Sequence, residues 1–164
     1  MNLTISVFYA YDIIIIQMIL IPQNDQKNFG YFLEYKVYEG LNSLGIFDDI
    51  LLEENLKKKW GWEAAGIDHL LVLGDYVIPI QTKWRCTRRR ENLCIHNYLK
   101  SLEYVLQLCG KKMLFGLWVS RLEPFQDNKD RLSSKGIHAV SCFESIDVLV
   151  QKTVDCVLKC IDAT

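Results

Sequence analysis

The chain is predicted to fold as an α/β protein, an α/β/α sandwich around a central mixed β-sheet. Three observations predict this. Two apolar runs, 66–73 and 76–83, flank Gly74-Asp75 and read as a β-hairpin with a two-residue turn. Segments 30–45 and 146–161 carry apolar residues at helical spacing. Between the hairpin and the last helix come a helical segment, 97–108, and two short strand-like segments, 112–120 and 137–141. The order is helix, hairpin, helix, strand, strand, helix. Helices that alternate with strands cover both faces of one sheet.

The elements follow from local chemistry. Ile13, Ile14, Ile15, Ile16, Met18, Ile19, Leu20 and Ile21 form an apolar stretch interrupted by Gln17. It is too short to cross a bilayer comfortably, and no cationic region precedes it as in a signal peptide. Its β-branched content predicts an arm that pairs with another subunit. Residues 22–26 read as a linker, so the expected organisation is an arm and linker over 1–27 and one domain over 28–164. In the first helix the stripe is Phe29, Leu33, Val37, Leu41 and Leu44, and Gly45 supplies the stop.

In the hairpin, Leu73 opposite Tyr76 places Asp68 opposite Gln81, with Lys83 on the Gln81 face. Pro79 lacks a ladder donor, which favours an edge position or a slightly different pairing. His69 points away from Asp68 and reads as a packing residue. The helix 97–108 closes near Gly110, and 112–120 reads as one buried strand. Polar residues 123–136 read as a mobile loop. The last helix carries Ile146, Leu149, Val150, Val154, Val157, Leu158 and Ile161 on a core-facing stripe.

Length and composition fit one compact domain: 164 residues, half of them apolar, with a net charge of −1. Such a balance does not advertise a nucleic-acid binder, so local distribution matters. Lys83, Arg85, Arg88, Arg89 and Arg90 make one basic run; Lys57, Lys58 and Lys59, followed by Trp60 and Trp62, make a second. Cations flanking a site bind phosphates without regard to sequence. Trp60, Trp62 and Trp84 could stack on unpaired bases, although rim packing is their ordinary role. The six cysteines form no CxxC pair and have no histidine at finger spacing, so they read as small buried hydrophobes in a reducing, intracellular compartment, cytoplasm or nucleus.

The hairpin face carries the chemistry. A carboxylate and an amide oxygen suit a hard cation, and an ammonium beside them can stabilise negative charge on a phosphate. Glu34, Val37, Leu41 and Gly45 on the first helix, then Gly66-Ile67-Asp68, then Gln81-Thr82-Lys83 resemble the motifs of the PD-(D/E)xK nuclease superfamily. The nearest likeness is to the Mrr-like restriction endonucleases and the archaeal-type Holliday junction resolvases. The resemblance covers about residues 28–160. The chain departs from the pattern in a longer gap between Glu34 and Asp68, and in Ile67 beside the Asp. Glu39 is a second acid on the first helix and reads as solvated.

The resemblance implies a restriction-endonuclease-like fold and a metal-dependent endonuclease acting on DNA. Glu34, Asp68, Gln81 and Lys83 would be catalytic, with Glu34, Asp68 and Gln81 holding Mg²⁺, for which Mn²⁺ would substitute. Arg85, Arg88, Arg89, Arg90, Lys57, Lys58 and Lys59 would contact DNA. A homodimer is expected, with no membrane association and no small-molecule cofactor. The rival expectations are a nuclease fold that binds nucleic acid without cutting it, and an unrelated α/β interaction domain.

Overall fold

The computed structural model describes residues 26–84 and 87–164. The expected apolar arm and linker up to residue 25 lie outside them, as do Arg85 and Cys86. Five α-helices and a mixed sheet of six strands are found among the described residues. In chain order they are α1 (Gln26–Asn42), β1 (Asp49–Leu52), α2 (Glu53–Trp60), β2 (His69–Leu73), β3 (Tyr76–Lys83) and α3 (Arg88–Cys109). Then come β4 (Lys112–Met113), β5 (Gly116–Ser120), α4 (Gln126–Ser133), β6 (Ile137–Ser141) and α5 (Ile146–Asp162). A single 3₁₀ turn, Trp62–Ala64, links α2 to the loop before β2.

The strand order is β1-β2-β3-β5-β6, with β4 also pairing to β3. The β1–β2 and β2–β3 pairs are antiparallel, whereas β3–β4, β3–β5 and β5–β6 are parallel. Helices cover both faces. Leu33, Val37 and Leu41 of α1 pack with Leu149, Val154 and Val157 of α5 against Leu71, Ile78, Ile80, Leu117 and Val119. On the other face, Leu56 of α2, Ile95, Tyr98, Leu102 and Val105 of α3 and Leu132 of α4 pack against Leu70, Val77 and Trp118. The predicted α/β/α sandwich is the observed fold. Gly40 lets α1 approach α5, since a Cβ there would lie 2.7 Å from Val150 Cγ1.

The hairpin has the expected register, with Leu73 opposite Tyr76 and Gly74 at a φ of 58° in the turn. Pro79 is not on an edge strand. β3 lies centrally, and Pro79 falls between the residues that pair with β4 (Tyr76, Val77) and those that pair with β5 (from Ile80). No ladder partner is present there to require its missing N–H. The Tyr98 hydroxyl closes the gap, lying 2.9 Å from the Pro79 carbonyl and 3.2 Å from that of Leu117. The same break divides the expected strand 112–120 into β4 and β5. Their registers on β3 differ by one residue, so Leu114 and Phe115 absorb a one-residue slip.

Three further expectations are corrected. Residues 123–136 are not a loop throughout, because α4 occupies Gln126–Ser133. Polar contacts anchor it: the buried Glu91 Oε1 accepts the Phe125 N–H at 3.0 Å and Asn128 Nδ2 at 2.7 Å. The long gap between Glu34 and Asp68 holds β1 and α2, which the sequence pattern did not single out. The helix expected over 97–108 begins nine residues earlier, at Arg88, with Thr87 accepting the Arg90 N–H as its cap. The arginine run is therefore its first turn.

Candidate functional site

The loop before β2 is set by Gly66. A Cβ at this position would lie 2.6 Å from both the Asn97 carbonyl oxygen and Ser101 Oγ on α3. Only glycine permits that approach. The contact is sealed by the Gly66 N–H donating to Ser101 Oγ at 3.0 Å. This fixes the chain two residues before Asp68.

Asp68 then departs from the simple alternation. The last regular pair of the hairpin is His69 with Ile80, yet the Asp68 N–H also donates to the Ile80 carbonyl, at 3.0 Å. Two residues of one strand thus oppose one of the other, which is a β-bulge. The carboxylate takes over as ladder acceptor. Asp68 Oδ2 accepts the Thr82 N–H at 2.7 Å and Thr82 Oγ1 at 2.8 Å. Oδ1 accepts no hydrogen bond among the described residues. The expected placement of Asp68 directly across from Gln81 is therefore modified: the bulge swings its carboxylate onto the backbone of Thr82.

Glu34 approaches from α1. His69 pins that helix, with Nε2 3.0 Å from the Glu34 carbonyl oxygen. Since a carbonyl only accepts, Nε2 carries a proton. Burial lowers the His69 pKa and so favours the neutral ring. The Glu34 side chain is half-buried, and its carboxyl is pushed up to about 8. Burial is the largest cause, followed by the negative charges of Asp68 and Glu53, with Lys83 and Lys57 pulling the other way. Glu34, Asp68 and Lys83 thus share one electrostatic cluster. Lys83 makes no ion pair among the described residues.

Gln81 lies on the α3 face of β3, in register with Trp118. It is 4 % exposed, and its Oε1 has no hydrogen-bond partner among the described residues. A buried acceptor without a donor costs about 1–3 kcal/mol, so it calls for an explanation. Its amide bonds to none of the other three predicted residues.

The chain matches no protein-family model, no curated protein and no solved structure. The chemistry must be read from the residues themselves.

Glu53 and Thr82 belong to the site and were not singled out from the sequence. The Glu53 N–H donates to the Asp68 carbonyl at 3.1 Å, which places the start of α2 beside the bulge. Its carboxylate pairs with Lys57 at 2.5 Å. The Glu53–Lys57 spacing of four residues is a helix-surface signal that could have found both α2 and this pair.

The basic residues separate into different roles. Lys57 is held by Glu53 and Glu54 and lies 4.8 Å from the Trp62 ring. Lys59 lies 4.8 Å over Trp60, and Lys58 is exposed. Arg88 is tied to Asp127 at 2.9 Å and covers Phe125. Arg89 and Arg90 are exposed in the first turn of α3. Cations there oppose the helix dipole, so they do not serve the helix. Arg85 lies outside the described residues. Glu39 is exposed and faces Lys36 at 3.9 Å, as a solvated acid.

A metal can be tested against this donor set. Among the described residues no group of three His, Cys, Asp or Glu side chains gathers closely enough to hold one. Glu34 and Asp68 Oδ1 offer two carboxylates, while the orphaned Gln81 Oε1 lies buried on the α3 face of the sheet. Two carboxylates leave coordination positions for substrate phosphate, as Mg²⁺ sites commonly do. Burial raises Glu34 most, and the repulsion from Asp68 and Glu53 that adds to it is what a divalent cation would relieve. The chemistry of the two carboxylates suits such an ion.

Proposed function

We propose that the protein is a metal-dependent endonuclease of the PD-(D/E)xK type that hydrolyses phosphodiester bonds in DNA. The observation that carries this reading is the half-buried Glu34 carboxyl, pushed to about 8 beside Asp68 and opposed by Lys83. Strongly shifted carboxyls with a named charge partner concentrate at functional sites. Glu34, Asp68 and Gln81 would hold Mg²⁺ or Mn²⁺. When bound, the ion supplies Lewis-acid polarisation of the scissile phosphate.

The other steps belong to the chain. Lys83, free of any ion pair among the described residues, offers its ammonium to the phosphoryl oxygens as negative charge develops. Thr82 holds Asp68 at Oδ2 and so leaves Oδ1 for the ion. His69 fixes the height of Glu34 along α1. With its carboxyl pushed up to about 8 in the ion-free chain, Glu34 would give up its proton as the ion binds, which couples ion binding to pH. Arg89, Arg90 and Lys58 would meet flanking phosphates, which carry no base information. Among the described residues no helix is long and apolar enough to cross a membrane. A homodimer would bring two such sites to the two strands of a duplex.

The test is cleavage of linear, branched and methylated DNA in Mg²⁺ and in Mn²⁺ by the full chain and by Asp68→Asn and Lys83→Ala. Each variant should lose about a hundredfold or more in rate. Asn keeps an acceptor for Thr82, so that loss will not reflect misfolding. Undiminished cleavage by Asp68→Asn would defeat the assignment. A second reading rests on the double use of Asp68 Oδ2 by Thr82, which gives that carboxylate a structural purpose. In that reading the fold binds DNA without cutting it, and the wild type will bind every DNA while cleaving none.

A further inference from the structure

The four tryptophans have different surroundings. Trp118 is buried beside Tyr98. Trp84 stacks on Phe29 at 4.9 Å and has the Arg121 guanidinium 4.4 Å from its ring. Trp60 is half-buried under Lys59, and its carbonyl accepts the Tyr104 hydroxyl. Trp62 alone is open, at 78 % exposed, more than any other large apolar side chain among the described residues.

Its place is fixed. Gly61, at a φ of 88°, ends α2 and starts the 3₁₀ turn, and the buried Ala64 anchors that turn. Lys57 lies 4.8 Å from the centre of the Trp62 ring. The same ammonium is paired with Glu53 and acts on Glu34. One lysine therefore links the carboxylate cluster to the exposed indole. The acids Glu53 and Glu54 are taken up by Lys57, which leaves Lys58 and Lys59 at the end of α2, without an ion pair among the described residues, as cations beside the indole against the single acid Glu63.

We propose that Trp62 is a stacking platform for an unpaired nucleobase beside the cleaved phosphate, so that the substrate class is DNA carrying unpaired nucleotides. This rests on the nuclease reading above. An exposed indole offers a π-face to any base, and a base inside a duplex has no face free to meet it. Charge complementarity favours this occupant over an apolar protein segment. Lys57 on one side of the ring also enriches the stack by a cation–π contribution.

The test measures binding without divalent cation, using full-length protein carrying Lys83→Ala. The probes are a labelled single-stranded oligonucleotide and a blunt, fully paired duplex. Adding Trp62→Ala should weaken single-strand binding about tenfold, within the range for one base–aromatic stack. Trp62→Phe should recover most of it, and duplex binding should not change. Quenching of the emission lost in Trp62→Phe provides a second readout on folded protein. No single-strand binding, an equal loss on both probes, or no loss on either would overturn the proposal. These outcomes are independent of turnover. If Trp62 proves necessary for single-strand binding while the wild type cleaves nothing, the stacking site stands and the nuclease assignment falls.

Discussion

Glu34 illustrates how much one side chain can report. Its carboxyl holds a proton in the folded chain up to about pH 8 but loses it at the ordinary carboxylate value when unfolded. Over that interval the unfolded state binds fewer protons, so stability falls as pH rises. In metal-free protein the melting temperature of the wild type relative to Glu34→Gln should therefore decline from about pH 4.5 to about pH 8. His69 works in the opposite sense, because its lowered pKa removes stability as pH falls below its unfolded value. Comparison with Glu34→Gln cancels that contribution. A pH-independent difference between the two proteins would show that Glu34 is not raised. Glu34 was legible through its match to the motif rhythm of the family the chain resembles, and its carboxyl lies within the influence of Asp68, whereas Glu39 is exposed, as its reading as a solvated acid expected. The bulge at Asp68 was not legible. Periodicity assumes a regular ladder, and here a carboxylate replaced a backbone acceptor.

At the scale of elements, sequence pattern served where apolar spacing was the organising force. The core stripe of α5 follows from it, and with the Gly74-Asp75 turn it sets the hairpin register, while Gly110 stops α3 through its left-handed backbone. It failed where polar contacts organise the chain. α2 buries only Leu56, and α4 buries only Leu132 and Asn128, so neither shows an apolar stripe. Pro79 misled because the gap between β4 and β5 comes from a slip on a different segment. The contact between the loop before β2 and α3 gives a direct test. Gly66→Ala should destabilise the protein by about 1–3 kcal/mol, the usual cost of overpacking. It should also impair cleavage more than stability alone explains, because the displaced loop carries Asp68. Denaturant unfolding together with activity at a temperature where the variant is fully folded would reveal both effects. Unchanged stability would mean that α3 yields to the added methyl.

At the scale of the whole molecule, the parallel and antiparallel halves of the sheet meet at β3, and the carboxylate cluster lies where the hairpin leaves that junction. Elements from α1, the start of α2, β2 and β3 all contribute, so binding an ion there should stabilise the domain as a unit. A ligand at a hundred times its Kd adds about 2.7 kcal/mol. For a chain of this size Mn²⁺ should accordingly raise Tm by several degrees. Gln81→Glu, which adds an anionic donor, should enlarge the rise, and Asp68→Asn should reduce it. Melting curves across a Mn²⁺ titration measure this directly, and equal curves for all three proteins would remove the ion from the site.

The bulge has a consequence for how this chain tolerates changes in length. Residues between the Gly66 contact and the first regular pair at His69 are counted, because both ends are tied to different partners. Deleting one residue there would convert the irregular step into an ordinary ladder and give Thr82 a main-chain acceptor in place of the carboxylate. The sheet would become more regular while Asp68 lost its station. Insertions and deletions that most surface loops absorb should therefore be excluded from these few positions, even where the fold itself would survive them.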